Sequence, residues 1–574
     1  MSGRPLAWFS WVMFALGVVA CLGIAYAAYT LANYSWAQVA DYESPYVSSS
    51  VPAALQSSVP PVSVPLSRRV VLIIVDGMRD DVSRSAMPTL NTLRTYGTDV
   101  SLVAPQPSLS NPNWTTILTG ASQTISGVTT NGNVSRVAAP TIMDVARAAG
   151  RRVAAVGPND FGVLYGLSAG PAVSLRPWPK GSYLSGTLVD DALRISKATD
   201  PQLLVIHLPD LDETGHSEGG TSAKYREVAG KIDAEIARLV AGLQADATTF
   251  VIVADHGHTA SGGHGGWESE VVSVPGIFSG GSIALGKATG SLDQVAPTIA
   301  VLAGLRMPAY AESTALRSVI STSAERVFAS EQAHHIAFDA HYSSVVLGGD
   351  VGPEMLARGA AEHGGPDGYA AYVRDARLAL ERQTRLPISL MIVGAVALLI
   401  ALIGVVSWRA LVAALAGTAA YYALYEGLFF GLHRYRWSLS VFNTEEKVSS
   451  FMNGRILEAA ISALLAVAVA AVVYPYLRRV GWGSRDRRYL AGWLALAPAT
   501  LLVVLGTLAL QAAWFLWWWG ATITWVLPDF KWAVKYDFDL VQMAAVGAAV
   551  VVAPIVTYLI GRYHPKVRAG RATS

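Results

Sequence analysis

Six apolar segments constrain the fold of this chain more than any other feature. The first lies at residues 6–30, and the other five lie at 386–407, 410–432, 456–476, 490–510 and 540–560. Each has roughly the 20 apolar residues that a helix needs to cross a bilayer. Because 52% of the 574 residues are hydrophobic and only 15% are charged, the composition also excludes an ordinary soluble protein. The chain is therefore predicted to be partly a membrane protein and partly globular.

The apolar segments divide the chain into five regions. We predict a cytoplasmic N-terminus with a transmembrane anchor at 1–32, a Pro/Ser-rich linker at 33–67, a globular domain at 68–385, a five-span transmembrane domain at 386–562 and a basic cytoplasmic tail at 563–574. The first segment is interpreted as a retained anchor because no clear small-residue cleavage site follows it. A cleaved signal peptide is the alternative.

Basic residues predict the orientation of the spans. If the N-terminus is cytoplasmic, the arginines between 478 and 488 and the basic residues of 562–571 also lie inside, as the positive-inside bias prefers. His433, Arg434 and Arg436 would then lie outside, which opposes this bias mildly. The globular domain is therefore predicted to be extracytoplasmic, with the tryptophans at 514 and 517–519 forming an aromatic belt at the outer interface.

Charge and cysteine content limit the partners and the stabilising bonds. The formal net charge of +2 gives no indication of a nucleic-acid partner. Cys21 is the only cysteine, so an intramolecular disulfide is excluded. The membrane bilayer is the partner that the composition indicates, and the oligomeric state is left open.

Within the globular region, short runs of β-branched residues alternate with helical patterns. The runs VVLIIV (70–75), VAAV (153–156), LLVIHL (203–208) and FVIVA (250–254) have no polar alternation, which is typical of buried strands. Between the last two, residues 222–244 keep apolar side chains at a helical period. Strand, helix and strand in this order predict an α/β fold with a parallel sheet flanked by helices.

Acidic and histidine residues follow three of these strands. Asp76 follows the first, Asp210 and Asp212 follow the third, and Asp255 and His256 follow the fourth. Ligand sites of open α/β sheets form at the carboxyl ends of parallel strands. His216 and His264, the second in a glycine-rich loop, add nitrogen donors. Oxygen and nitrogen ligands without thiolates favour zinc, with manganese as the alternative.

Ser110 has two interpretations when it is taken alone. It stands before Asn-Pro in PSLSNPNWTTILTG (107–120), where a serine commonly caps a helix by accepting a free backbone N–H. It is also placed where a nucleophile at a helix N-terminus would meet an anionic substrate. The local sequence does not decide between the cap and the nucleophile.

The motifs together resemble the alkaline phosphatase superfamily. They are VDG (75–77), the Ser110 stretch, GVTTN (127–131), DETGH (212–216), DHG (255–257), GGHG (262–265) and DQVAPTIAVLAG (293–304). Their order and spacing are most similar to the nucleotide pyrophosphatase/phosphodiesterase branch and to the GPI ethanolamine phosphate transferases. The resemblance covers most of residues 70–305 and implies an alkaline-phosphatase-like α/β domain with two divalent metal ions.

The resemblance also implies roles for individual residues. It implies that Asp212, His216 and His264 hold one ion, and that Asp76, Asp255, His256 and the Ser110 oxygen hold the other. Ser110 becomes the nucleophile, which a metal ion would activate. Asn131 matches an asparagine that contacts a phosphoryl oxygen in the phosphodiesterase branch, and Trp114 and His207 are further candidates for substrate contact. For His207 and for Asp210, a merely structural role at the strand end is equally open.

Departures from the family pattern leave alternatives. Family phosphodiesterases often have threonine as the nucleophile, so Thr115 and Thr116 are rivals to Ser110, although they align downstream of it. His258 is an alternative to His264 as a ligand. A sulfatase of the superfamily would have arginine where this chain has Trp114, which disfavours that activity.

The order of one span, a globular domain and a multi-span half is similar to that of the lipid-anchor ethanolamine phosphate transferases. We therefore expect a phosphoethanolamine, or a similar head group, to be transferred from a phospholipid to a lipid or lipid-linked glycan through a phospho-serine at Ser110. A metal-dependent phosphodiesterase that uses water is the alternative, and a non-catalytic scaffold or transporter is the second. Glu426 and Glu458 lie within or near predicted spans, where we expect them to face a polar interior or each other.

Overall fold

The computed structural model describes residues 4–47, 51–52, 55, 65–133, 135–179, 181–243, 248–348, 358, 361–362, 366–477 and 487–563. They form an α/β domain and a bundle of long apolar helices. The α/β domain has one continuous hydrophobic core, which includes every residue of the VVLIIV run.

One eight-stranded sheet organises the α/β domain. Its strands are β1 (Arg69–Val75), β2 (Gly97–Val103), β3 (Val153–Pro158), β4 (Val173–Arg176), β5 (Leu203–Leu208), β6 (Thr248–Val253), β7 (Ser273–Gly280) and β8 (Gly286–Ser291). The order across the sheet is β4-β3-β5-β1-β6-β7-β2-β8. β1 is central, with β5 and β6 parallel to it on either side.

The sheet is mixed, which corrects the prediction of a parallel sheet. β7 runs antiparallel to β6 on one side and to β2 on the other. The physical reason lies in the connection between β6 and β7, which contains only one short helix, Ser269–Val272. The chain does not cross back over the sheet there, so β7 starts from the edge at which β6 ended.

Helices surround this sheet. They are Asp80–Ala86, Pro88–Thr95, Ser110–Thr119, Gln123–Ser126, Ile142–Ala148, Asn159–Leu164, Ser185–Thr199, Asp210–Glu218, Ala223–Leu243, Ser269–Val272, Val295–Ala303 and Glu325–Leu347, with short 3₁₀ turns at Leu292–Gln294 and Arg317–Val319. The helix Ala223–Leu243 packs its apolar face into the core, as its period predicts. The α/β class and its helical layers therefore follow the sequence pattern.

The membrane part is built from longer helices. They are Arg4–Ala40, Pro366–Glu426, Glu445–Leu477, Arg487–Leu494, Leu496–Trp518, Phe530–Ala548 and Ala553–Tyr563, with a π-turn at Gly427–Leu432 and 3₁₀ turns at Leu439–Phe442 and Ala549–Val551. The first helix extends to Ala40, into the predicted linker, and Pro366–Glu426 begins before the predicted boundary at 385. The apolar segments of the sequence mark only part of each of these helices, because the polar extension of a helix carries no hydrophobicity signal.

The predicted count of one plus five spans is not confirmed. Among the described residues, four helices are long and apolar enough to cross a membrane, or five if the bent pair Phe530–Val551 and Ala553–Tyr563 is one span. Two predicted spans, 386–407 and 410–432, fall within the single range Gly368–Leu432. The backbone there departs from helical geometry at Ser407, with φ −160° and ψ 94°.

The acidic residues of the membrane part find different surroundings. Glu458 pairs with Arg455 at 2.6 Å and with His433 at 2.9 Å, so it does not depend on Glu426 for a partner. Glu426 has one buried carboxylate oxygen without a hydrogen bond. Among the tryptophans predicted to form an aromatic belt, Trp518 packs against Arg382, whose guanidinium carbon lies 3.6 Å from the centre of the Trp518 ring. Residues 478–486 and 564–574 of the predicted basic clusters lie outside the described residues.

The two parts contact each other through the end of the first helix. The Thr129 hydroxyl donates to the carbonyl of Val39, and the Tyr42 hydroxyl donates to the carbonyl of Thr124 at 3.1 Å. The loop that precedes Glu445–Leu477 also reaches the α/β domain, where the Trp267 indole donates to the carbonyl of Trp437 at 2.7 Å. The α/β domain is therefore seated on one end of the helical bundle.

Candidate metal centre

Three adjacent strands deliver the acidic residues to one edge of the sheet. Asp76 directly follows β1, and Asp255 directly follows β6. Asp212 and His216 lie on the helix Asp210–Glu218, which begins just after β5. Their separation of four residues places both side chains on one face of that helix. Parallel pairing therefore brings residues far apart in the sequence to a common site.

Asp255 is fixed by several hydrogen bonds. Its Oδ1 accepts from the backbone N–H of Gly77 at 3.0 Å and of His256 at 2.9 Å. Its Oδ2 accepts from the Trp114 indole N–H at 2.8 Å. Gly77 has φ +70°, and a Cβ there would lie 2.7 Å from His258 Nε2. Only glycine allows the chain to turn this closely beneath the cluster.

The predicted ligands lie within one cluster. Asp76, Asp255 and His256 offer donor atoms within 4.8 Å of one another, and Asp212, His256 and His264 do the same. His216 Nε2 lies 3.1 Å from His264 Nε2 and 3.5 Å from Asp212 Oδ2. His256 thus lies between the two groups of donors. The structure brings all the residues of the predicted metal sets together.

The four histidines of this cluster share one orientation. His256 Nδ1 lies 3.1 Å from the carbonyl of Gly257, and His264 Nδ1 lies 3.0 Å from the carbonyl of Ser108. His258 Nδ1 contacts the carbonyl of Gly262, and His216 Nδ1 contacts a side-chain amide oxygen at 3.0 Å. Because these oxygens accept hydrogen bonds, each Nδ1 carries the proton. Nε2 is therefore the ring nitrogen that is left to bind a metal ion in each of the four.

The electrostatics of the cluster fit a divalent cation. Asp76 Oδ1 and Asp212 Oδ1 are buried without hydrogen-bond partners. Burial and the nearby carboxylates of Asp255 and Asp212 raise the pKa of Asp76 well above its ordinary value. Burial lowers the pKa of His264 well below its ordinary value, which favours the neutral form that binds metals. Carboxylate oxygens and neutral imidazoles suit zinc or manganese.

Ser110 lies at the edge of this cluster. Its Oγ is 3.1 Å from His256 Nε2. The capping position of the helix Ser110–Thr119 is Leu109, so Ser110 is the first helical residue and not the cap. The hydroxyl is therefore directed at the candidate metal ligands and not at a backbone N–H. Thr115 and Thr116 hydrogen-bond to carbonyls of the preceding turn instead.

The predicted substrate contacts have different environments. Asn131 lies beside Ser110, because its Oδ1 accepts from the backbone N–H of Asn111 at 3.0 Å. His207 is fully buried, and its Nε2 lies 2.9 Å from Asp76 Oδ2. Burial lowers the pKa of His207 to about 3, so the ring is neutral. The polar atoms of Trp114 and His207 contact the carboxylates of Asp255 and Asp76, and their contact with substrate stays a prediction.

Two features of the site extend the sequence interpretation. His258 is not merely a substitute for His264, since its Nε2 lies 2.9 Å from Asp212 Oδ1 while His264 Nε2 lies 3.6 Å from the same atom. In the sequence, the histidine that follows His256 by two residues in DHGH (255–258) is the signal that could have indicated His258 as a member of the cluster. Asp210 accepts from the backbone N–H groups of Leu184 and Ser185, so it holds the start of a helix.

Part of the chain is similar to known proteins. Residues 70–266 match the family model of type I phosphodiesterase / nucleotide pyrophosphatase. The matched segment contains Ser110 and every candidate metal ligand from Asp76 to His264. Among curated proteins it is similar to the catalytic subunit of human GPI ethanolamine phosphate transferase 2, with 25% identity over 270 residues.

The extent of these similarities is limited. The match to the human transferase covers 42% of this chain and 27% of that protein's length. Murine ectonucleotide pyrophosphatase/phosphodiesterase 5 aligns with 13% identity and a TM-score of 0.38, over 44% of this chain and 100% of that one. Alkaline phosphatase PafA aligns with 12% identity and a TM-score of 0.39, over 45% of this chain and 100% of that one.

Proposed function

We propose that the chain is a membrane-embedded phosphotransferase that moves phosphoethanolamine, or a similar head group, from a phospholipid to a lipid-linked glycan or lipid. The observation that supports this most is the position of Ser110 Oγ, 3.1 Å from His256 Nε2 within the cluster of carboxylates and imidazoles. The similarity to a GPI ethanolamine phosphate transferase supports the substrate class.

Two divalent ions, most simply zinc, are proposed for the cluster. Asp212, His216 and His264 would hold one, with His258 beside them, and Asp76, Asp255, His256 and Ser110 would hold the other. Such a pair of ions supplies stabilisation of the attacking and leaving oxygens in an in-line phosphoryl transfer. Two observations support this assignment. Asp76 Oδ1 and Asp212 Oδ1 are buried without hydrogen-bond partners, and all four histidines use Nδ1 for a hydrogen bond and leave Nε2 for a metal ion.

The chain's own residues then define two half-reactions. Ser110 Oγ attacks phosphorus, the bond from phosphorus to the diacylglycerol oxygen breaks, and that oxygen takes up the proton that Ser110 releases. In the second half-reaction the acceptor hydroxyl oxygen attacks phosphorus, the bond from phosphorus to Ser110 Oγ breaks, and Ser110 Oγ takes up the proton that the acceptor hydroxyl releases. Asn131 Oδ1 is occupied by the Asn111 N–H, so its amide NH₂ is the group left to donate to a phosphoryl oxygen.

We also propose six membrane crossings with the α/β domain outside the cytoplasm. Ser389 donates to the carbonyl of Ala513, and Tyr422 bonds to Thr507. A straight helix from 389 to 422 would be about 50 Å long, yet the two partners lie within about two turns on the helix Leu496–Trp518. The fold-back at Ser407 therefore supports two spans within Gly368–Leu432. The basic residue distribution supports the orientation.

A cavity in the membrane part is proposed for a lipid chain of the donor. It has a volume of about 500 Å³ and is lined mainly by apolar side chains of the helices Arg4–Ala40, Glu445–Leu477 and Phe530–Ala548. Its size lies in the range of small-molecule sites. Leu439 and Phe442 also line this cavity, and Leu439 approaches Gly265 of the glycine-rich loop around His264, which we call the metal-site loop. This position would place a lipid tail close to the site that receives its head group.

Filling the cavity is expected to impair lipid substrates selectively. Val541→Trp introduces a large side chain into the cavity, so turnover of a phospholipid in vesicles should fall about tenfold, equivalent to about 1.4 kcal/mol. Turnover of soluble bis(p-nitrophenyl) phosphate should stay within twofold of wild type. Val405→Trp, at an 86% exposed position, is the matched control and should affect neither. Equal lipid turnover in the two variants would contradict the proposal that the cavity binds a lipid chain of the donor.

The transferase is tested by following a labelled head group. Full-length protein in vesicles is given phosphatidylethanolamine labelled in its ethanolamine, together with a membrane-lipid extract. The proposal expects diacylglycerol and label in a second lipid-soluble product. Label that appears only as water-soluble phosphoethanolamine would identify the phosphodiesterase instead, the function that the family-model match favours. Unchanged donor would reject both enzymatic functions.

A further inference from the structure

A loop of the membrane part covers the metal-site loop of the α/β domain. We call residues 437–443 the docking loop. The Ser440 hydroxyl accepts from the backbone N–H of Gly266 at 3.1 Å and donates to Glu268 at 2.8 Å. A Cβ on Gly263 would lie 1.8 Å from the Ser440 carbonyl oxygen. Glycine at 263 therefore permits a direct backbone approach, which fixes the docking loop against the site.

At the end of the docking loop, Asn443 makes two hydrogen bonds to His216. Its Oδ1 lies 3.0 Å from His216 Nδ1, and its Nδ2 donates to the backbone carbonyl of His216 at 3.2 Å. The carbonyl can only accept, so the amide group facing it must be the NH₂. The other amide atom is then the oxygen, and His216 Nδ1 must carry the proton. The lone pair is left on Nε2, which faces Asp212 and His264.

The backbone of Asn443 is strained in a way that aims this side chain. It has φ 61° and ψ −62°, and the Thr444 N–H donates to the Phe442 carbonyl at 2.8 Å. These values describe a γ-turn of the rare, strained kind. Such strain persists where surrounding contacts impose it, and it is concentrated at functional sites. The contacts of the docking loop with Gly266 and Glu268 supply that constraint.

We infer that Asn443 is a positioning residue for His216, so that the membrane part completes the metal centre of the α/β domain. Its hydrogen bonds fix the His216 tautomer and ring orientation with Nε2 directed into the cluster. Partners of this kind contribute 10- to 100-fold to metal affinity. The inference rests on the proposed function only in treating the cluster as a metal site, and it gives the C-terminal half a role beyond anchoring.

The test compares three variants of the full-length protein in detergent, with Zn²⁺ as the probe. Asn443→Gly keeps the strained backbone accessible and removes both hydrogen bonds, so the Zn²⁺ affinity of the site that contains His216 should fall 10- to 100-fold. Asn443→Asp keeps an oxygen acceptor for His216 Nδ1 and should retain most of the affinity. Thr444→Val, in the same turn but without contact to His216, is the control. Zn²⁺ titration of metal-stripped protein gives the affinities, and the melting temperature of the metal-free form checks folding.

The possible outcomes distinguish a failure of this inference from a failure of the proposed function. Wild-type affinity in Asn443→Gly, or an equal loss in Asn443→Asp, would overturn the positioning role. If metal-free Asn443→Gly also melts at a clearly lower temperature than the metal-free wild type, its loss of affinity would come from a less stable docking loop. That result would also overturn the positioning role. If wild-type protein itself binds no Zn²⁺ or Mn²⁺, the proposed metal-dependent function fails.

Discussion

Ser110→Ala is expected to lower turnover of any phosphodiester substrate by roughly 10⁴-fold or more, the scale seen when an enzyme loses its nucleophile. The reason is that Ser110 Oγ is the hydroxyl beside His256 in the cluster. Asp76, Asp212 and Asp255 stay in place, so at least two equivalents of metal should still bind when metal content is measured by elemental analysis. Loss of activity while the metal is retained would show that the effect comes from the missing nucleophile and not from a damaged metal site.

Thr116→Val is the matched control for Ser110→Ala. It removes a buried hydroxyl from the same helix, whose only described bond is to the carbonyl of Pro112 at 3.2 Å. Turnover should therefore stay within a few-fold of wild type. If Ser110→Ala retained wild-type turnover while a threonine variant lost it, the assignment of the nucleophile to Ser110 would be wrong.

Asp255→Asn is expected to lower metal affinity and activity together. Asp255 Oδ2 accepts from the Trp114 indole N–H, and its Oδ1 accepts two backbone N–H groups. An asparagine can accept at one oxygen only, so its NH₂ would face either Trp114 or the backbone donors. Loss of the charged ligand and of its fixed orientation should reduce metal affinity by at least 10- to 100-fold.

Asp233→Asn provides the comparison for Asp255→Asn. Asp233 is also a buried carboxylate that accepts from two backbone N–H groups, those of Thr89 and Leu90. Its replacement should cost stability but leave metal content and specific activity unchanged. Prolonged chelation of wild-type protein followed by desalting should abolish activity, and added Zn²⁺ or Mn²⁺ should restore it. Activity that survives chelation would contradict the metal requirement.

The sequence predicts the central part of the α/β domain well. The runs at 70–75, 203–208 and 250–254 correspond to β1, β5 and β6, because uninterrupted β-branched residues indicate strands buried on both faces. Asp76, Asp212 and Asp255 then follow adjacent strands. Placing ligands at strand ends is a local property, so it can be inferred before the sheet order is known.

The edge of the sheet is less predictable. β2 (GTDVSLV) and β8 (GKATGS) contain glycine and polar residues, which weaken the strand pattern. Their pairing depends on β7, whose antiparallel direction comes from the short route of the chain after β6. The departure from helical geometry at Ser407, by contrast, falls at the boundary that the sequence predicts between the apolar segments 386–407 and 410–432.

Contacts between distant parts of the chain are the least predictable element of the site. In the sequence, FNTEE places Asn443 just before the helix Glu445–Leu477, where it is typical of a helix start. Its contact with His216 spans 227 positions. Likewise, Trp114 and His207 carry no local signal that their polar atoms hold Asp255 and Asp76. Such partners emerge only when the strands, loops and membrane helices are assembled.

The proposed covalent transfer is tested most directly by identifying the residue that carries the head group. Full-length protein would be incubated with phosphatidylethanolamine vesicles without acceptor, quenched in acid and digested for mass spectrometry. The proposal predicts phosphoethanolamine on the peptide containing Ser110, at the oxygen of that residue, and its disappearance when acceptor lipid is added before the quench. Diacylglycerol released in several turnovers with no modified Ser110, or with the modification on another residue, would contradict it.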